Sequence, residues 1–62
     1  MNEINTPRMA TVANTVKFSG LSRSRLYELL KAGEIEGRKA GRTTLIVTET
    51  VFRWLESLPP YQ

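Results

Sequence analysis

The chain contains no cysteine and no histidine. The first absence excludes disulfides and thiolate metal sites, and the second removes the commonest metal ligand and general base. There is no glycine-rich phosphate loop before a helix, and no concentrated pair of carboxylates, because Glu34 and Glu36 flank a turn and read as solvated charge. Catalysis is therefore not expected, nor is a metal or any other cofactor. No apolar run approaches the ~18 residues of a membrane span, and the N-terminus lacks a signal-peptide pattern. A soluble, cytoplasmic protein without a membrane partner is expected. Its 62 residues make one domain. A chain near this size buries only ~60% of its unfolded surface. With neither disulfide nor metal to staple it, stability must come from packing, self-association or a bound partner.

What is present is positive charge, unevenly spread. Nine lysines and arginines stand against six acidic residues, a net charge of +3. Between Lys17 and Arg42 lie seven cations and three carboxylates, whereas the remainder carries two cations and three carboxylates. Charge concentrated in this way suits a polyanionic partner. The plainer alternative is an ordinary solvated basic surface.

Residues 1–10 are polar, include Pro7 and show no periodicity, which predicts a flexible N-terminal arm. Thr11 is placed to cap a first helix, in which Val12, Thr15, Val16, Phe18 and Ser19 form one wide stripe that Gly20 ends. Leu21 then plugs the turn and Ser22 caps a second helix, where Leu26, Leu29 and Leu30 fall at i, i+3, i+4 and define the buried face. Gly33 stops that helix and Ile35 packs back on the core. Two strands are expected over Glu36–Ala40 and Arg42–Val47, with Gly41 first in a type II′ turn. A last helix has Thr48 as cap and Val51, Phe52, Trp54, Leu55 and Leu58 as its apolar stripe, and Pro59-Pro60 terminates it. The expected fold is mainly α with a small β-hairpin: helix, turn, helix, two-stranded wing, helix. The domain spans residues 11–59 and residues 60–62 are a tail.

The exposed side chains of the second helix and hairpin carry the chemistry. A major groove ~12 Å wide admits one α-helix, whose first turns reach the base edges. Ser22, Arg23, Ser24 and Arg25 occupy that first turn, with Tyr27 and Lys31 further along. Arginine can bond guanine O6 and N7 together, and serine hydroxyls suit phosphate oxygens. Arg38, Lys39 and Arg42 surround the hairpin tip, where they would meet DNA backbone or the minor groove. Each residue also has a plainer role. Ser22 is first a cap, Tyr27 can pack against the wing, and the hairpin cations can be solvated charge guarding a strand edge. Glu28 would repel phosphate and is expected to pair with Lys31, three residues on. Phe52, Trp54 and Leu55 read as core, Trp54 becoming a protein-binding anchor if exposed.

Thr11-Val12, the run Phe18–Ser24, the run Leu26–Ile35, Arg38–Arg42 and Ile46 together resemble the excisionase-like branch of the MerR-type winged helix-turn-helix superfamily. The resemblance runs from about Thr11 to Pro59 and is most specific from Leu21 to Ile35. Ala13 and Asn14 stand where that family usually has acidic residues, and Thr15 and Ser19 where it has larger or more apolar ones. The resemblance implies a DNA-binding protein of a phage or other mobile element. Such proteins act as excisionases, bending attachment-site DNA and steering an integrase without cutting DNA themselves, or as small transcriptional regulators. By position, the implied contacts are Ser22, Arg23, Ser24, Arg25, Tyr27 and Lys31 from the helix, and Arg38, Lys39 and Arg42 from the wing. The expected partners are double-stranded DNA, further copies of the chain along it, and a recombinase. The rival from another class is a protein-interaction module, with Phe52, Trp54 and Tyr61 as its apolar face.

Overall fold

The computed structural model describes residues 8–61. In chain order these form β1 (Met9–Thr11), α1 (Val12–Ser19), α2 (Arg23–Ala32), β2 (Gly37–Ala40), β3 (Thr43–Val47) and α3 (Thr48–Glu56). The architecture is mixed α/β: three helices on a three-stranded antiparallel sheet of order β1-β3-β2. It departs from a mainly α chain with one hairpin because β1 adds a third strand along the free edge of β3. Met9 and Ala10, expected in the flexible arm, lie in that strand, opposite Val47 and Ile46. The rest of the predicted arm, residues 1–7, lies outside the described residues.

Local signals set most helix boundaries. Thr11 accepts the Asn14 amide at 3.1 Å and Ser22 accepts the Arg25 amide at 3.1 Å, each oxygen satisfying a donor left unpaired in a first turn. Gly33, at φ +79°, closes α2 as a Schellman motif. Its amide reaches the Leu30 carbonyl at 3.2 Å and that of Glu34 reaches Leu29 at 2.9 Å. Gly41 at φ +66°, followed by Arg42 at negative φ, fits a type II′ hairpin turn between Ala40 and Thr43.

The polar members of the α1 stripe are satisfied locally. Thr15 is fully buried, and its hydroxyl donates to the Thr11 carbonyl at 2.8 Å. Ser19 Oγ donates to the Thr15 carbonyl at 2.6 Å and accepts the Leu21 amide at 3.1 Å. Burial thus leaves neither hydroxyl without a partner.

The core is formed by Val12, Leu26, Leu29, Ile35, Ile46 and Val51. Across the sheet, Ala10, Ile46 and Gly37 are register partners and share one face. Small residues on both sides of Ile46 let the helices approach. A Cβ at Gly37 would lie 2.8 Å from Leu30 Cδ2. Phe18 and Phe52, expected in apolar stripes, are instead partly exposed and stack on each other with ring centroids 5.5 Å apart.

Thr48 is the first residue of α3 rather than its cap, and the cap position, Val47, makes no side-chain hydrogen bond. Both the amide and the Oγ1 of Thr48 donate to the Arg8 carbonyl, at 2.9 and 3.1 Å. Thr50 ties the same turn to the hairpin, accepting the Glu36 amide at 3.0 Å and donating to the Val47 carbonyl at 2.6 Å. No helix among the described residues is long and apolar enough to cross a membrane.

Candidate functional site

All nine side chains singled out in the sequence are exposed, but the fold sorts them into groups. With Leu26, Leu29 and Leu30 turned inward, the helical period puts Ser24, Glu28 and Lys31 at the centre of the outer face of α2. Ser22 lies at its N-terminal end, its oxygen engaged as the cap. Arg23 and Tyr27, one turn apart, lean to one flank, and Arg25 leans to the other.

On the first flank, Arg23 and Tyr27 meet Arg42 of the hairpin turn. These three side chains line a concavity of about 220 Å3 together with Thr11, Val12 and Ala13 at the start of α1 and Thr43 and Thr44 of β3. The Arg23 guanidinium lies over the Tyr27 ring, 5.9 Å from its centroid, which stiffens both without neutralising the cation. Tyr27 thus takes part in the hollow between helix and hairpin while the residue stays 43% exposed. The three threonines, Val12 and Ala13 were not singled out for the site in the sequence, where Thr11 read as a cap and Val12 as part of the α1 stripe. Thr43-Thr44 after an arginine turn was the available signal, hidden because threonine is also an ordinary strand residue.

The hairpin cations divide between two faces. Register pairs Lys39 with Thr44 and Arg38 with Leu45, so Lys39 shares the face of Ile46 and Arg38 the reverse one. Arg38 is also occupied. It pairs with Glu36 at 2.6 Å and donates to the Gly37 carbonyl at 3.1 Å.

On the second flank of α2, Arg25 bonds Glu28 at 3.1 Å and lies over the Trp54 ring of α3. Glu28 therefore pairs backwards with Arg25, not forwards with Lys31 as its spacing also allowed. The orientation of Arg25 over the indole favours this partner. Among the described residues, Arg23, Lys31, Lys39 and Arg42 have no carboxylate in ion-pair range, unlike Arg25, Arg38 and Arg53. Among the described residues, α2 and the adjoining hairpin thus offer four uncompensated cations, with Arg8 and Lys17 as two more outside them. The helix and hairpin can attract an extended anion and hold it at several points. Comparison with protein-family models, curated proteins and solved structures finds no match for the chain.

Proposed function

We propose that this chain is a sequence-specific binder of double-stranded DNA, working as a winged helix-turn-helix. In this reading α1 and α2 are the helix-turn-helix, β2 and β3 the wing, and α2 enters the major groove. The observation that carries it is the convergence of Arg23 and Tyr27 from α2 with Arg42 from the hairpin turn on one hollow. Helix and ribbon then present cations to a backbone from two sides of that hollow, while Ser24 and Lys31 face outward on the adjoining face of α2. Phosphate contacts of this kind fix register and orientation, leaving the outer face of α2 to read bases.

The role we propose is that of an excisionase, which binds attachment-site DNA in several copies and directs an integrase. This rests on the resemblance of residues 11–59 to that family. A single module covers only ~600–1,000 Å2 of DNA, so specific recognition by a chain this small calls for neighbouring copies. Gel-shift titration on attachment-site and promoter DNA, at low and moderate salt, tests the reading. A ladder of cooperative, salt-sensitive complexes on the attachment site is expected. A single complex confined to a promoter would replace the excisionase by a transcriptional regulator. Absence of any shift would favour a protein-interaction module, for which the partly exposed Phe18–Phe52 pair is the supporting observation.

A further inference from the structure

An exposed carboxylate at the centre of a helix face offered to a polyanion is costly, and Glu28 is such a carboxylate. Its Oε1 accepts a hydrogen bond from Arg25 Nη1 at 3.1 Å. The same guanidinium lies over the Trp54 indole, with its Cζ 5.8 Å from the ring centroid. Trp54 belongs to α3 and packs against the core cluster, so its ring is a fixed platform. Arg25 is therefore held at one edge by its own helix and on one face by another. Arg23 lies over the Tyr27 ring of its own helix and, among the described residues, has no carboxylate in ion-pair range.

Stability does not account for this arrangement. The side chains of Arg25 and Glu28 are 51% and 66% exposed, and ion pairs this open contribute little to folding. Positioning does account for it. A free arginine gives up rotamer entropy when it binds, whereas one already held has lost much of it beforehand. A guanidinium has five N–H donors, and Glu28 engages one of them. The remainder can still form the paired bond to guanine O6 and N7.

We infer that Glu28 and Trp54 are positioning residues that hold Arg25 as the base-reading side chain of α2, with guanine as the base it reads. The inference rests on the DNA-binding reading and extends it. Arg23 and Arg42, on the opposite flank, serve the phosphate backbone. Glu28 thus lowers affinity for every duplex while sharpening the choice among them.

The test is selection from a randomised duplex pool at low salt, with sequencing of the bound fraction, for the wild type, Arg25→Ala, Glu28→Gln, Trp54→Leu and Trp54→Phe. The wild type should enrich guanine at one position. Arg25→Ala should cut that preference about tenfold. Glu28→Gln should weaken it at the same position while affinity for unselected duplex holds or rises. Trp54→Leu should weaken it likewise, and Trp54→Phe, which keeps an aromatic face, should restore most of it. If Trp54→Leu fails to fold, Glu28→Gln at its exposed site decides the matter. An unchanged base profile in Arg25→Ala overturns the inference. So does a Glu28→Gln variant that loses affinity for all duplexes alike, as a merely structural role would require. A wild type that binds duplex without guanine preference overturns the inference and leaves the proposed function standing, and one that binds no duplex overturns both.

Discussion

Gly37 shows how a single missing side chain can set the distance between two layers. Its backbone angle is not in the left-handed region, so alanine is conformationally acceptable there. The obstacle is space, since an added Cβ would stand 2.8 Å from Leu30 Cδ2 and 3.2 Å from the Leu45 carbonyl. Leu30 can rotate; the carbonyl belongs to the central strand and cannot. We expect Gly37→Ala to destabilise the fold by about 1–3 kcal/mol, read as a lower midpoint in thermal unfolding followed by circular dichroism. Ser22 allows two roles to be separated. Ser22→Ala removes the α2 cap and should cost ~1 kcal/mol, which in a domain this small lowers the midpoint by about 4–8 °C. Ser22→Asp keeps a capping oxygen and suits the helix dipole, so stability should hold while affinity for duplex falls. Equal losses of both in Ser22→Asp would show that Ser22 acts on binding only through the fold. The caps at Thr11 and Ser22 were legible in the sequence because each acts within three residues of itself. The partner of Glu28 was not. Arg25 and Lys31 both stand three residues away, and only the Trp54 ring, brought in by a distant helix, breaks the tie.

At the scale of elements, the proposed function divides the work of holding DNA between the hairpin and α2. Arg42, at the wing turn, has no described carboxylate beside it and faces the hollow with Arg23. Arg42→Ala should weaken binding to all duplexes alike and reduce the slope of log affinity against log salt by about 1. Arg38→Ala should do much less, because Arg38 shares the reverse face of the hairpin with Glu36. Comparing the salt slopes of the two variants checks this, and equal effects would contradict the division of the wing into two faces. The glycine-tipped hairpin and the Leu26–Leu29 face were readable from short patterns. β1 was not, because Met-Ala-Thr is too brief to show alternation and becomes a strand only through pairing with β3. The start of α3 was misplaced by one residue for a similar reason. Thr48 is a good capping residue by type, but the helix begins at Thr48 itself, whose amide and hydroxyl both donate to the Arg8 carbonyl, far away in sequence.

For the whole molecule, the balance of charge predicts a bulk property. If Arg23, Lys31, Lys39 and Arg42 each neutralise one phosphate, log affinity should fall with log salt at a slope of about −3.6 per bound copy. Fluorescence anisotropy on a labelled duplex at a series of salt concentrations measures it. A slope near zero would remove the electrostatic basis of the proposed function. The sheet adds a constraint of a different kind. β1 opens the described chain, yet its partner is the strand that immediately precedes the last helix, with Thr11 opposite Leu45. A ribosome releases the N-terminal end first, so β1 emerges with nothing to pair with until both helices of the turn and the whole hairpin have followed. Closing so large a loop is slow compared with forming a helix or a hairpin. The nascent chain therefore carries an unpaired strand while the helices and hairpin are made, and three residues, too few to template aggregation, are a safe length for that wait.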